Sequence, residues 1–261
     1  MLLEKKNAVI YGAGGAIGGA VARAFAREGA RVFLAGHTIA PIEAAAQEIS
    51  RAGGVAEAAH VDALDEQAVE KHLGEVVKKT GGIDISFNAI GIDHIQGVPL
   101  VEMALEEFTR PIVDAMKTQF LTTTAATRHM ARKGSGVILA ITATPARMVI
   151  PNVGGFGVAC SAIEGLCRQL AGELGPHGIR VICLRSAGSP DTPGVDEVFR
   201  LHAEHAGISR EAFEASLAER TLLKRLPKLA EVAAVAVLMA SDRASAMTGA
   251  VANVTCGATV D

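Results

Sequence analysis

Short apolar runs and longer amphipathic stretches alternate along the whole chain. The runs at residues 8–10, 31–35, 55–61, 83–87, 137–141, 180–184 and 251–254 read as strands. They are brief and bounded by turn residues, as expected of strands buried on both sides. Between them, residues 21–27, 42–50, 67–78, 105–132, 163–174 and 230–240 carry apolar positions at helical spacing. A break is expected in the fourth of these near Pro111, because proline has no backbone donor and crowds the preceding turn. Strands alternating with helices of this length form βαβ units. They predict an α/β fold: a doubly wound parallel sheet of about seven strands with helices on both faces. Such sheets take ligands beyond the carboxyl ends of their strands, where strand order reverses.

One stretch departs from the alternation. Residues 191–227 hold helical patches (195–204 and 210–223) but no strand, and they follow the sixth strand at the ligand-binding edge. A long excursion there is expected to be a lid over a pocket; a surface excursion or an oligomer contact is the alternative. No repeat, low-complexity tract or linker divides the chain, so residues 1–261 are read as one domain.

Composition narrows the class. Apolar residues make up 49% of the 261 and charged residues 20%, which suits a globular core. The net charge of −3 gives no basic field for nucleic acid or anionic lipid. No run of 18 apolar residues suggests a membrane span, and MLLEKKNAVIYG lacks the apolar core of a secretory signal. Cys160, Cys167, Cys183 and Cys256 form no CxxC pair and no metal-ligand spacing. Reduced thiols in the cytoplasm, and no metal, are the expectation.

The segment from Ile10 to Gly18 (Ile-Tyr-Gly-Ala-Gly-Gly-Ala-Ile-Gly) joins the first strand to the first helix. Glycines permit a tight turn and close backbone approach to a pyrophosphate, and the helix N-terminus supplies free N–H groups. The spacing resembles the Thr-Gly-x-x-x-Gly-x-Gly turn of the short-chain dehydrogenase/reductase family. Gly12 and Gly18 match, Tyr11 stands where Thr is usual, and Ala16 replaces the middle Gly. Further landmarks follow in order: Asp62 after the third strand, Asn88-Ala89-Ile90-Gly91 after the fourth, Gly178-Ile179-Arg180-Val181 opening the sixth, and Ala240-Ser241-Asp242-Arg243-Ala244-Ser245 with Thr248-Gly249 near the end. The resemblance spans nearly the whole chain and implies a Rossmann-like fold that holds a nicotinamide dinucleotide. It places the cofactor against Gly12, Gly14, Gly15, Ala16, Ile17, Gly18, His37, Thr38, Asp62, Ala63, Asn88, Ala89, Ile90 and Gly188. The second strand ends in Ala35-Gly36-His37-Thr38, with no carboxylate to hold a ribose diol, so NADP(H) is expected over NAD(H). The family's habit of pairing long helices implies a homodimer or homotetramer, or a hetero-oligomer with an active relative.

The family's catalytic positions are altered. A Tyr that exchanges the proton, a Lys four residues later, a Ser thirteen residues before the Tyr and an Asn on the preceding long helix fall here on Phe156, Cys160, Ala143 and Ala115. Shifting the register does not restore them. Tyr11 is the chain's one tyrosine, and no Lys lies between Lys133 and Lys224, which also excludes the wider Tyr–Lys spacing of the enoyl reductases. Substitutes are Thr142 and Thr144 beside the Ser position, His94 with Asp93 after the fourth strand, Cys160 as a thiolate, and Arg147 as an anion site. Three functions stay open: an NAD(P)-dependent oxidoreductase with altered chemistry acting on a small molecule, a catalytically silent dinucleotide-binding or structural subunit, and a lyase or isomerase on the same fold.

Overall fold

A computed structural model describes residues 1–260. Seven strands form one parallel sheet: β1 (Asn7–Tyr11), β2 (Arg31–Gly36), β3 (Val55–His60), β4 (Ile85–Asn88), β5 (Gly136–Ala143), β6 (Ile179–Ser186) and β7 (Ala250–Val254), in the order β3-β2-β1-β4-β5-β6-β7. The helices between them are α1 (Ala16–Arg27), α2 (Ile39–Arg51), α3 (Glu66–Thr80), α4 (Leu105–Lys133), α5 (Gly155–Leu174), α6 (Pro193–Ala206), α7 (Arg210–Glu219) and α8 (Leu229–Ala240). The expected fold is borne out.

The strand sequences explain the layering. Side chains alternate across a sheet, and here both sets are apolar. Ala8, Ile10, Val32, Leu34, Leu139 and Ile182 face a core closed by α1, α2 and α8, while Val9, Tyr11, Phe33, Ile138 and Val181 face a second core closed by α3, α4 and α5. Helix ends follow local chemistry. The Asp65 carboxylate accepts from the Gln67 and Ala68 N–H groups at the start of α3, and Gly81, at φ +82°, ends it.

Several element bounds differ from the reading of the sequence, and three of the differences have a clear local cause. α1 begins at Ala16, five residues before the expected start, because Gly18 and Gly19 are buried helical positions with no side chain to mark a face. α4 runs unbroken through Pro111. That residue sits in the second turn, where the missing donor frees one early carbonyl, and its ring packs over Gly155 at the head of α5. α7 stops at Glu219 rather than 223. There the Thr221 hydroxyl donates to the Ala218 carbonyl and accepts the Arg225 N–H, turning the chain.

Residues 191–227 hold α6 and α7 and no strand. The two helices pack Phe199 edge-on to Phe213, and the Arg210 guanidinium bridges Asp196 and Glu214. Among the described residues no helix is long and apolar enough to cross a membrane.

Beneath the carboxyl edge of the sheet lies a buried ion pair. Arg185 on β6 donates from Nε and Nη2 to the two Glu164 oxygens of α5, at 2.8 and 2.9 Å, and Thr142 Oγ1 of β5 donates to the same carboxylate at 3.1 Å. Both charged side chains are almost wholly shielded from water, at 1% and 4% exposure. Removing one member of such a pair leaves the other charge desolvated. Glu164→Ala is therefore expected to cost about 3–5 kcal/mol, read as a lower urea midpoint at unchanged slope. An exposed pair such as Lys6–Asp242 is expected to contribute under about 1 kcal/mol.

Candidate active site

The chain leaves β1 for one side of the sheet and leaves β4 for the other, so a crevice opens between their carboxyl ends. It has a volume of about 520 Å³ and is floored by Tyr11, Gly12, Gly14 and Gly15. Gly36, His37 and Thr38 close one end, Val61, Asp62, Ala63 and Leu64 one flank, and Ile90, Gly91, Asp114 and Ala115 the other.

Two glycines set the depth of this turn. At Gly12 (φ +73°) a methyl group would come 2.5 Å from the Ala89 carbonyl oxygen, and at Gly18 it would come 2.3 Å from the Gly12 carbonyl oxygen. No side chain fits either place. Gly15 precedes α1 without a side-chain cap, so the free N–H groups of the first turn and the positive end of the helix serve the crevice. A crevice of this size, ending on an uncapped helix N-terminus over backbone without side chains, fits a group carrying a pyrophosphate. Asp62 takes the Leu64 N–H at 2.9 Å and lines the crevice edge.

The other expected cofactor positions are outside the crevice lining. Asn88 is buried, donating to Thr122 Oγ1 at 3.0 Å and accepting the Ile90 N–H at 3.1 Å. It shapes the β4 turn without lining the crevice. Ala89 meets Gly12 from below. Ala16, Ile17 and Gly18 do not line the crevice with side chains, and Gly188 lies apart from it, against Val195 and Phe199.

The four positions on which the family's catalytic residues are expected lie on three elements. Ala143 ends β5, Phe156 and Cys160 lie on the first turns of α5, and Ala115 faces the crevice from α4. Cys160 is buried at 1% exposure, and burial pushes its thiol up to about 12; a backbone hydrogen bond from Ala143 offsets this only in part, and the Glu164 carboxylate adds to the rise. Burial of the thiol stands against a thiolate at neutral pH. Thr142 is also buried, and its hydroxyl donates to Glu164. Thr144 begins a short 3-10 turn that leads to the exposed Arg147. Asp93 is exposed, 3.3 Å from the Arg110 guanidinium.

His94 is different. Its ring stacks on Phe156, with centroids 4.2 Å apart and planes 15° apart. Its Nδ1 is 2.5 Å from the Ile92 carbonyl, and its Nε2 is 2.6 Å from Gln96 Nε2. Gln96 Oε1 in turn lies 2.7 Å from His202 Nε2 on α6. Sequence reading missed Gln96, His202 and the crevice residue Asp114. The Gln96–His202 contact joins positions 106 apart, for which a single sequence carries no signal.

The open crevice at the strand-order reversal belongs to a doubly wound α/β fold. The comparisons are specific about which. Residues 12–259 match the family described as enoyl-(acyl carrier protein) reductase. The chain is 33% identical over 247 residues to an uncharacterized oxidoreductase, YxbG, of Bacillus subtilis, covering 95% of this chain and 88% of the relative. It is 32% identical over 256 residues to the short-chain reductase NovJ of Streptomyces niveus, covering 97% and 94%. Its fold superposes on sorbitol-6-phosphate 2-dehydrogenase SrlD of Erwinia amylovora with a TM-score of 0.91 at 26% identity, covering 97% of this chain and all of that one. The chain belongs to the short-chain dehydrogenase/reductase family of oxidoreductases.

The thiols give a direct check on the site. Cys160, Cys167 and Cys183 are buried and Cys256 is partly exposed. Iodoacetamide at pH 8 is expected to modify Cys256 in the folded protein and the other three only after unfolding, as read by peptide mass spectrometry. Fast alkylation of Cys160 in the native state would return it to the list of nucleophiles.

Proposed function

We propose that the protein is an NAD(P)-dependent oxidoreductase whose dinucleotide lies in the crevice between β1 and β4 and whose usual catalytic residues are replaced. The observation that carries this reading is the uncapped α1 N-terminus opening onto a crevice whose turn admits no side chain at Gly12 or Gly18. Gly14, Gly15 and the first-turn N–H groups of Ala16, Ile17 and Gly18 hold the pyrophosphate. Asp62 and Ala63 border the adenine, and Ile90 lies beside the nicotinamide ribose. Asn88 and Ala89 keep the β4 turn in shape. When bound, the dinucleotide supplies or accepts a hydride, and this chain's residues orient the partner and manage the proton.

NADP(H) is preferred over NAD(H) in this reading. His37 and Thr38 occupy the end of β2 where a carboxylate would repel a 2′-phosphate, and the His60 ring stands 5.6 Å from that of His37. The matched family is described by a reductase, yet Phe156 has no proton to give and Cys160 holds its own too tightly. That absence favours the second reading, a catalytically silent binding subunit. A lyase or isomerase built on the Cys160 thiolate loses its nucleophile for the same reason. Residues 191–227 act as the lid. Val113 and Phe120 of α4 and Val158 of α5 are exposed apolar positions on long helices, which suits pairing with a second copy or a relative. The buried free thiols support a cytoplasmic setting.

Titration with NADPH and NADH, followed by fluorescence and calorimetry, tests this reading. NADPH is expected to bind more tightly, and His37→Asp to weaken NADPH by about tenfold while sparing NADH. No binding of either at millimolar concentration overturns the oxidoreductase reading.

A gain-of-function variant tests the placement of the replaced residues. Ala143→Ser, Phe156→Tyr and Cys160→Lys together are expected to raise carbonyl reduction by about 10²-fold or more, the scale of positioned acid–base catalysis. A folded, cofactor-binding triple variant with no gain refutes the placement.

A further inference from the structure

The proton chemistry that the four altered positions lack is assembled beside them from a loop and a lid helix. The loop after β4 carries His94 onto the face of Phe156. A carbonyl oxygen only accepts, so the contact with Ile92 O requires the proton of His94 to sit on Nδ1. The Gln96 amide nitrogen only donates, so the 2.6 Å contact requires a lone pair on His94 Nε2. The amide oxygen only accepts, so His202 carries its proton on Nε2. One amide thus fixes two imidazoles in opposite tautomers. His202 is itself backed by the Phe213 ring of α7, with planes 7° apart.

We propose that His94 is the general base of this site, taking a proton from an alcohol hydroxyl and returning it in the reverse direction, with Gln96 and His202 as positioning residues. This rests on the oxidoreductase reading above. An alcohol O–H is a donor, like the Gln96 N–H that now occupies the Nε2 lone pair, so substrate can replace one donor with another. In the forward step the O–H bond breaks and its proton passes to His94 Nε2. The carbinol C–H pair leaves as hydride for the oxidised nicotinamide, and the C=O double bond forms. The ligand class is therefore a hydroxy compound and its carbonyl product. Fixing the tautomer through Nδ1 is the part a buried carboxylate plays for other catalytic histidines; here a backbone carbonyl does it without adding a negative charge.

Protonation of His94 has a consequence for the lid. With hydrogens on both ring nitrogens, Nε2 no longer accepts, and the Gln96 amide must turn to present its oxygen. Its NH2 group then faces His202, which must accept in its place. His202 is suited to that exchange: burial and the neighbouring His205 hold its titration below the usual histidine range, so it stays neutral. The other charged or titratable groups around the loop are Asp93, paired with Arg110, and His205, whose ring edge lies against Gly97. The Glu164–Arg185 pair lies behind Cys160 on the α5 side.

The test has one arm that needs no turnover. Long-range proton–nitrogen NMR of protein with ¹⁵N-labelled histidines, at neutral pH, is expected to show His94 as the Nδ1–H tautomer and His202 as Nε2–H. The opposite tautomer at His94 overturns the proposal. The second arm uses NADP+ and NAD+ with a panel of sugar alcohols and secondary alcohols. His94→Gln is expected to bind dinucleotide as the wild type does and to lose at least a hundredfold in kcat/KM, with the ionisation on the acid limb of the profile gone. Gln96→Leu is expected to keep that ionisation but displace it. A His94→Gln protein retaining more than a tenth of wild-type kcat/KM overturns the assignment. Wild-type protein that binds neither dinucleotide removes the oxidoreductase reading, and the base assignment with it. Binding without turnover of any alcohol in the panel overturns the base assignment alone.

Discussion

The close approach of backbone to backbone at the start of α1 is the constraint on which the site depends. Gly12 sits against Ala89 and Gly18 against Gly12, each at a distance that leaves no room for a methyl group. The contact locks the β1 turn to the β4 turn and so sets the crevice between them. It also points the free end of α1 at that crevice. A side chain at either glycine would push the helix away and remove both the depth of the crevice and the aim of the helix dipole.

Beyond the crevice, the chain handles charge in two ways. Deep under β5 and β6 it buries an arginine and a glutamate together, with Thr142 completing the carboxylate's bonds. Such a pair is held by geometry, since desolvation offsets much of its attraction. The Glu164 carboxylate also takes the Thr142 hydroxyl and adds to the burial that pushes the Cys160 thiol up. Closer to solvent, the His94 imidazole of the half-buried loop after β4 is joined to His202 of α6 through a neutral amide. Proton traffic suits this second setting, where a change of charge costs less than in the core.

Much of the fold was legible because buried parallel strands and amphipathic helices each write a distinct period. The glycine turn was legible because close backbone approach restricts residue type. Pro111 misled because a proline in the second turn of a long helix is tolerated once its ring packs, here over Gly155. The partner of Thr142 was not legible because a strand-end hydroxyl reads the same whether it faces a ligand or a buried carboxylate.

The sequence by itself determined the alternating α/β architecture, the strand-to-helix glycine turn, and a single tyrosine, Tyr11, with no lysine between Lys133 and Lys224, since these are matters of period, spacing and residue type. Only the tertiary structure decided that Cys160 is too buried to ionise, that Thr142 serves Glu164, and that Gln96 joins His94 to His202. Burial and pairing between distant residues are properties of packing, and packing brings positions 106 apart to hydrogen-bonding distance with no mark in the local sequence.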